Sequence, residues 1–558
     1  MNGTLTSLET APSIETASVS GNKQRTYAPR NTRKILCVFP KYSRSFGTFH
    51  HAYKLMRGVR AFMPPQGILL IASYLPKQWE VRFVDENNHP ATDADYEWAD
   101  AVLVSGMHIQ RPHINRINER AHAHGKITAL GGPSVSGCAE YYPDFDLLHL
   151  GELGDATDQL IEYLDRHTSR PEQQIQFKTV DRLPLQQFPI PAYHLIRLDQ
   201  YFIASIQFSS GCPYTCEFCD IPELYGRNPR LKSPEQVLAE LDAMLKSGNP
   251  GAVYFVDDNF VGNRKAALDL VPHLVEWQKK NGFPVQFACE ATLNIAKSPQ
   301  LLEMMREAYF CTVFCGIETP ETAALKAMSK MQNLSVPMLD SIKLLNHYGM
   351  EVVSGIILGL DTDTAETVDH VLEFIRMSQI PMLTINILHA LPKTPLWRRL
   401  EQEGRLVSDE NRESNVKFML PYEQVVEMWR RCLTTAYQPE FLYERFIYNV
   451  HNTYARRVPL PNSPARVNYA SIRRGMSMLF HLLVRVGMFS SYRRTFWKMA
   501  WPALKKGDIE SLIHVGLVGH HLIYFAKECE RGEESASFYS QKLQEQDSSK
   551  LQTASSTS

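Results

Sequence analysis

Three cysteines, Cys212, Cys216 and Cys219, stand at C-x3-C-x2-C spacing directly after the apolar run ASIQFSSG (204–211). Thiols this close on one loop converge on a single metal centre, so the chain must fold into something that delivers that loop to the end of a strand. The centre has two readings. Structural zinc demands a fourth protein ligand nearby, and the next cysteine is Cys289. A cubane iron–sulfur cluster held by three cysteines leaves one iron open to a small molecule. A zinc knuckle, or thiols in a non-enzymatic structural or redox-sensing protein, is the competing reading.

The run before the triad opens a series. AVYFVDD (252–258), VQFACEA (285–291), CTVFCGIE (311–318), EVVSGIILGL (351–360) and LTINILHAL (383–391) follow it as strands, each trailed by a helical segment such as PEQVLAELDAML. Six βα units wound in one direction predict a partial barrel over 201–401, with its functional groups at the carboxyl ends of the strands. Asp257, Asp258 and Asn259 end the second strand and Glu318 the fourth, where an acid serves a ligand or a helix N-cap equally well. Leu358, Gly359 and Leu360 end the fifth.

A first α/β unit precedes this one over 33–166. ILCVFP (35–40), VRFVDE (81–86), AVLVSG (101–106), ITALGG (127–132) and LLHLG (147–151) are short, continuously apolar strands, spaced by helices such as 66–75 and 115–124. That pattern predicts a doubly wound, Rossmann-like parallel sheet covered on both faces. Ligands of such sheets sit beyond the carboxyl ends, where Pro40, Asp85, Ser105, Gly131, Gly132 and Pro133 fall. Residues 167–200 are proline-punctuated and aperiodic, a connector, while 1–32 and 531–558 have the composition of disordered ends.

Residues 402–530 predict helices. Between Arg445 and Gly507 there are twelve Arg or Lys and no Asp or Glu, interleaved with Met476, Phe480, Phe489, Trp497 and Trp501. Basic and aromatic residues mixed on helices suit an anionic membrane surface, and equally a helical cap with a solvated basic face. The whole chain has 59 basic and 60 acidic residues and contains no recognised nucleic-acid module, so nucleic acid is not expected as a partner. Ten cysteines in 558 residues and no signal-like N-terminus point to a reducing cytoplasm. The longest uncharged apolar run, 511–526, is broken by His514, His520 and His521, so no spanning helix is predicted.

C-x3-C-x-aromatic-C at the end of the first strand of such a barrel resembles the radical S-adenosylmethionine (SAM) superfamily. The resemblance implies that Cys212, Cys216 and Cys219 hold a [4Fe–4S] cluster whose open iron chelates SAM. It further implies that Asp257, Asp258 and Asn259 present polar groups to the methionyl amine, that Glu318 accepts from the ribose hydroxyls, and that Phe218 lies near the adenine, while Leu358 to Leu360 suit the adenine pocket and the core equally well.

A doubly wound domain before that barrel is similar to the cobalamin-binding domain of corrinoid-dependent radical enzymes. PPQGILLIASYL (64–75), VDEN (84–87), SGMHIQ (105–110), GGPSVSG (131–137) and HLGELG (149–154) carry the likeness, implying cobalamin contacts at Pro65, Gly67, Asp85, Ser105, Gly131 and Gly132. The Asp-x-His-x-x-Gly signature of many cobalamin proteins is absent, and His149 reads as a strand-end histidine, leaving the lower face of cobalt unassigned. Methylthiotransferases are disfavoured, because their N-terminal domain carries its own cysteine triad and this one has Cys37 and Cys138. From RAFMPPQGILLIASYL through CPYTCEFCDIPELYGR and VYFVDDNFVGN to HVGLVGHHLIYFA, the chain looks like the bacterial hopanoid C-2 methyltransferases. That implies C-methylation of an unactivated hopanoid carbon with SAM and methylcobalamin, a ferredoxin or flavodoxin as electron donor, and peripheral contact with the inner membrane. A related enzyme acting on another natural product is the alternative.

Overall fold

The computed structural model describes residues 27–409, 412–467 and 469–534. The first sheet is built from β1 (Lys34–Phe39), β2 (Glu80–Asp85), β3 (Ala101–Ser105), β4 (Ile127–Gly131), β5 (Leu147–Leu150) and β6 (Ile175–Lys178). All neighbours are parallel, in the order β2-β1-β3-β4-β5-β6. Alternation along each strand divides the side chains between two cores. Ile35, Cys37 and Phe39 pack towards the helices Gln66–Tyr74 and Asp155–Arg166, whereas Leu36 and Val38 pack towards Arg111–Ala123. Each such fully buried side chain stabilises the fold by about 1.5 to 3 kcal/mol. The order reverses between β1 and β3, which opens a crevice at their carboxyl ends.

Two segments differ from the expectation. The connector at 167–200 supplies β6, since Ile175 to Lys178 pair with Leu147 to Leu150. Residues 27–32, expected in the disordered N-terminus, are bound by Asp165, whose carboxylate accepts from Tyr27 Oη at 2.6 Å and from the backbone N–H of Arg30 and Asn31. The remainder of that expected N-terminus and residues 535–558 lie outside the described residues.

The second sheet contains β7 (Ala204–Ile206), β10 (Ala252–Phe255), β11 (Gln286–Glu290), β12 (Phe310–Glu318), β13 (Glu351–Leu358) and β14 (Met382–Ile387), all parallel in the order β14-β13-β12-β11-β10-β7. Six strands that do not close make the predicted partial barrel. The first strand is shorter than its apolar run. After Ile206 the chain turns so that β8 (Ser209–Ser210) pairs antiparallel with β9 (Arg230–Leu231), and this small hairpin brackets the cysteine loop. The helix after it begins where Ser233 accepts from Gln236 N and ends at Gly248, a residue with φ +145°.

The helices Tyr422–Ala436, Pro439–Asn452, Tyr469–Arg485, Arg493–Lys506 and Ile509–Glu530 share one continuous core with the barrel and with residues 46–59, which follow β1. Among the described residues Ile509–Glu530 is the one helix long and apolar enough to cross a membrane, and 67% of its apolar stretch is buried against the rest of the protein. His520 and His521, which interrupt the run in sequence, lie inside that packing. Part of the basic region is also internal. Arg445 is fully buried and donates to the carbonyls of Ile380 and Ala436, and Arg457 donates to those of Gly349 and Cys311.

Candidate functional site

The cysteine loop is fixed from both sides. Gly211 (φ +98°) donates its N–H to Asp258 Oδ2 at 2.7 Å, and a Cβ there would come within 2.9 Å of Gly226 O. Cys212 N donates to Gly226 O and Cys219 N to Cys216 O, closing the loop. Cys216 is buried and accepts from Gln332 Nε2 at 3.2 Å. Burial pushes the thiols of Cys212 and Cys219 up, and the charges of the neighbouring cysteines push the same way. A cationic metal centre reverses that bias, because it stabilises the thiolates it binds.

The spacing of the three sulfurs separates the two metal readings. Around tetrahedral zinc, with Zn–S near 2.3 Å, sulfurs stand about 3.8 Å apart. Among the described residues His50, His51 and Glu528 are the one group of three or more ligating side chains drawn within 4.8 Å of one another. The cysteine triad is not among such groups, so its sulfurs are not drawn together as tightly as the ligands of one zinc ion.

Beside the triad a cavity of about 490 Å³ opens at the barrel mouth, walled by Phe218, Cys219, Glu290, Glu318, Asn386 and His389 among others. Glu318 sits at a register shift in β12 with φ +67° and is bound by Lys330 Nζ at 2.8 Å, both side chains nearly buried. Strand glycines make room for it: a Cβ on Gly316 would meet Glu318 Oε1 at 2.5 Å, and one on Gly355 would meet Oε2 at 3.4 Å. Lys330 Nζ also lies 5.4 Å from the centre of the Phe218 ring. Burial would strip its proton, but Glu318, Cys216 and Cys219 more than offset this and its pKa rises. Glu290 is pushed up to about 7 by burial and by the Asp258 charge. The share of that rise due to the Asp258 charge is one that a cationic guest beside Glu290 would offset.

The structure places the expected SAM contacts unevenly. Phe218 and Glu318 line the cavity, whereas Asp257, Asp258 and Asn259 line neither this cavity nor the second one described below. Asp257 Oδ1 accepts the N–H groups of Phe208 and Ser209, and Asp258 accepts that of Gly211. Asp257 Oδ1 and Asp258 Oδ2 fix the turn ahead of the cysteine loop, where the backbone has left its strand, while the buried Asp257 Oδ2 has no hydrogen-bond partner. Asn259 Oδ1 accepts from Val261 N, while its buried Nδ2 has no partner. Leu358 and Gly359 also stand off the cavity: Asp363 accepts the N–H of Gly359 and of Leu360, and a Cβ on Gly359 would strike Phe418 at 2.7 Å. Sequence reasoning missed Lys330, Gln332 and Glu290. Glu290 carried the same strand-end signal as Glu318, but the other two lie at the start of the short helix Met331–Leu334, which nothing local marks.

A second cavity, of about 400 Å³, lies where the carboxyl ends of the first sheet meet the barrel. Pro65, Gly67, Ser105, Gly131 and Gly132 line it, with Ser205, Gln207, Tyr225 and Lys232 from the other side. Gly132 has φ +96°, and a Cβ on it would fall 2.6 Å from Ser105 Oγ, so this corner admits no side chain. Asp85 does not line the cavity, and its carboxylate accepts from Asn87 N and from Tyr201 Oη, both at 2.9 Å. Its strand-end position serves the turn after β2 and the contact between domains. His149 lines the cavity floor and bonds Thr157 Oγ1 at 2.9 Å, with burial lowering its pKa to about 4. Glu152 joins the two units, accepting from Ser210 Oγ and Arg230 of the hairpin that brackets the cysteines.

Residues 206–375 match the Radical SAM superfamily, and 394–535 match a domain of unknown function (DUF4070). The chain is 60% identical over 516 residues to the hopanoid C-2 methylase of Rhodopseudomonas palustris (strain TIE-1), covering 92% of this chain and 98% of that one. It is 33% identical to an uncharacterized methyltransferase of Synechocystis sp., over 74% of this chain and 77% of the relative. Among solved structures, the radical S-adenosylmethionine methyltransferase TsrM of Kitasatospora setae, with cobalamin and a [4Fe–4S] cluster bound, superposes with a TM-score of 0.57. That match has 11% identity and covers 90% of this chain and 100% of TsrM. At that identity the likeness speaks for the fold.

Proposed function

This chain belongs to the family of hopanoid C-2 methylases, radical SAM enzymes, and from that premise we infer how its two cavities divide the work. It is a cobalamin-dependent radical SAM C-methyltransferase whose substrate is a hopanoid, methylated at C-2. When bound, the cluster and SAM supply a deoxyadenosyl radical that takes hydrogen from an unactivated carbon, and cobalamin supplies the methyl group. The observation that carries the reading is a cysteine triad without a fourth ligand, beside one cavity, with a second cavity walled by both α/β units.

The residues fit those groups. Cys212, Cys216 and Cys219 hold the cluster, and Gln332 donates to the Cys216 sulfur, steadying its negative charge. Glu318, pinned by Lys330, offers an acceptor to the ribose, and Phe218 offers a ring face to the adenine. Glu290 supplies negative charge towards the cationic cofactor. Asp257 and Asp258 are positioning residues that fix the turn before the triad. Pro65, Gly67, Ser105, Gly131 and Gly132 receive cobalamin, with the missing side chain of Gly132 letting a large ring approach the backbone.

The C-terminal helices carry the approach to the substrate. Tyr469, Ile472, Met476 and Phe480 fall at helical spacing on one helix, and all are exposed, as are Met488, Phe489 and Trp501. Arg473, Arg494 and Lys498 lie among them in sequence. Apolar side chains facing outwards beside basic ones suit a peripheral enzyme that collects a triterpenoid from an anionic membrane. The protein works at the cytoplasmic face of the inner membrane, and its reductant is a small electron carrier such as a ferredoxin or flavodoxin. The test is anaerobic turnover of the reconstituted enzyme with SAM, methylcobalamin and an unmethylated hopanoid, read by mass spectrometry. A product heavier by one methylene unit and methylated at C-2 is expected. Formation of 5′-deoxyadenosine without methylated hopanoid, across hopanoids with different side chains, overturns the substrate assignment.

A further inference from the structure

The segment after β1 meets the last turn of the helix Ile509–Glu530 at a cluster that lines neither cavity. His50, His51 and Glu528 each direct one ligand atom to a common point, and those atoms lie within 4.8 Å of one another. Glu528 Oε2 is 2.9 Å from His51 Nε2 and 3.5 Å from His50 Nε2. In a tetrahedral site with bonds of about 2.1 Å, ligand atoms stand about 3.4 Å apart, so two edges are already close to that length.

The polar contacts of His50 are long, both at 3.5 Å. Thr48 Oγ1 gives its proton to Ser45 O at 2.9 Å and lies 3.5 Å from His50 Nδ1, a contact that closes only with the imidazole proton on Nδ1. His50 Nε2 is buried and stands 3.5 Å from the Glu528 carboxylate without making a well-formed hydrogen bond to it. With its proton on Nδ1, the ring offers the Nε2 lone pair to a cation shared with the carboxylate.

We propose that His50, His51 and Glu528 bind one divalent first-row transition-metal ion, zinc by preference, separate from the cysteine centre. Two imidazoles and a carboxylate are a zinc-type ligand set, and the side chains of His50 and Glu528 remain 17% and 16% exposed, leaving room for water at a fourth position. His51 Nδ1 lies 3.5 Å from Lys54 Nζ, and the exposed lysine turns outwards when that nitrogen carries the proton. Behind the site His521 is fully buried and bonds Phe46 O at 3.0 Å. The ion clips the 44–51 segment to the C-terminal helix. Arg44 to Gly47 and Phe525, which flank the clip, are part of the wall of the cavity at the barrel mouth. A metal here therefore fixes that wall.

The test uses full-length protein with its cluster already reconstituted, so that the cysteines are occupied. After dialysis against equimolar zinc and then metal-free buffer, elemental analysis should find about one zinc per chain beside the iron. Glu528→Gln and His51→Ala should each keep the iron and lose at least nine-tenths of the zinc. Zinc should raise the melting temperature of the natural chain and leave that of Glu528→Gln unchanged. No zinc on the natural chain overturns the proposal, and so does a variant that keeps it. Should the variants not fold, zinc content and melting shift of the natural chain decide alone.

Discussion

The two cavities are walled in opposite ways. The one between the sheets takes its shape from what is missing: Gly67, Gly131 and Gly132 leave backbone and apolar surface, and the left-handed φ of Gly132 turns the chain away where a side chain would stand. The one at the barrel mouth takes its character from what is present: a thiol, a carboxylate held by a lysine, and further buried acids. Shape recognises a large ring, whereas charge recognises a sulfonium amino acid. The first should therefore fail when atoms are added and the second when charges are removed.

The largest effect tests the separation outright. Cys216→Ala should drop bound iron from about four per chain to below one and 5′-deoxyadenosine formation to background, with cobalamin uptake unchanged by absorbance. Loss of cobalamin along with the iron would show that the cavities are one site. Gly132→Val is the converse. It forces a β-branched residue into φ +96° and puts a Cβ 2.6 Å from Ser105 Oγ, a backbone cost of about 1 to 3 kcal/mol before any clash. Cobalamin content should fall at least tenfold while iron and uncoupled SAM cleavage persist. Normal cobalamin uptake would refute the cradle.

Glu318→Gln removes charge and little volume. It leaves the Lys330 ammonium buried without its partner, 2.8 Å from a neutral amide, and uncompensated buried charges cost about 3 to 5 kcal/mol. The expected result is a lower denaturation midpoint together with a KM for SAM raised about tenfold, with iron retained. Lys330→Met paired with Glu318→Gln should recover most of the stability and little of the SAM affinity. Equal recovery of both would make the pair structural.

What the sequence revealed follows the same division. Both parallel sheets, the cysteine loop and the glycine corner were legible because each depends on local pattern: apolar runs of strand length, fixed spacing, paired glycines. Asp85, Asp257 and Asp258 were legible as strand-end acids, and whether such a carboxylate bonds a backbone N–H depends on where the chain turns next. The early end of β7 after Ile206 decided that for Asp257 and Asp258. Lys330 and Gln332 were invisible because their short helix, Met331–Leu334, is brought back to the triad by tertiary packing alone. The C-terminal charge pattern was read as surface, yet Arg445 and Arg457 serve barrel carbonyls.

The smallest effect compares carboxylates at the two ends of the barrel. At the mouth, burial and Asp258 raise Glu290 to about 7. At the opposite end, burial of Glu351 is outweighed by His514 at 3.4 Å, Tyr454 and Arg457, and its pKa is lowered. The signs follow from linkage. The stabilising contribution of Glu290 is complete below its unfolded value of 4.5 and is lost as pH rises through about 7; that of Glu351 is complete above 4.5 and is lost as pH falls through its lower folded value. Because Glu290 borders an open cavity, the penalty it carries at pH 8 is about 1 to 2 kcal/mol rather than the full linkage value. Glu290→Gln should therefore flatten the decline in melting temperature between pH 5 and 8, and Glu351→Gln should flatten the acid limb below pH 5. Saturating SAM should remove the Glu290 decline and leave the Glu351 limb untouched, since only the mouth of the barrel meets the cation. If SAM shifts both limbs alike, the contrast between the two ends is not electrostatic.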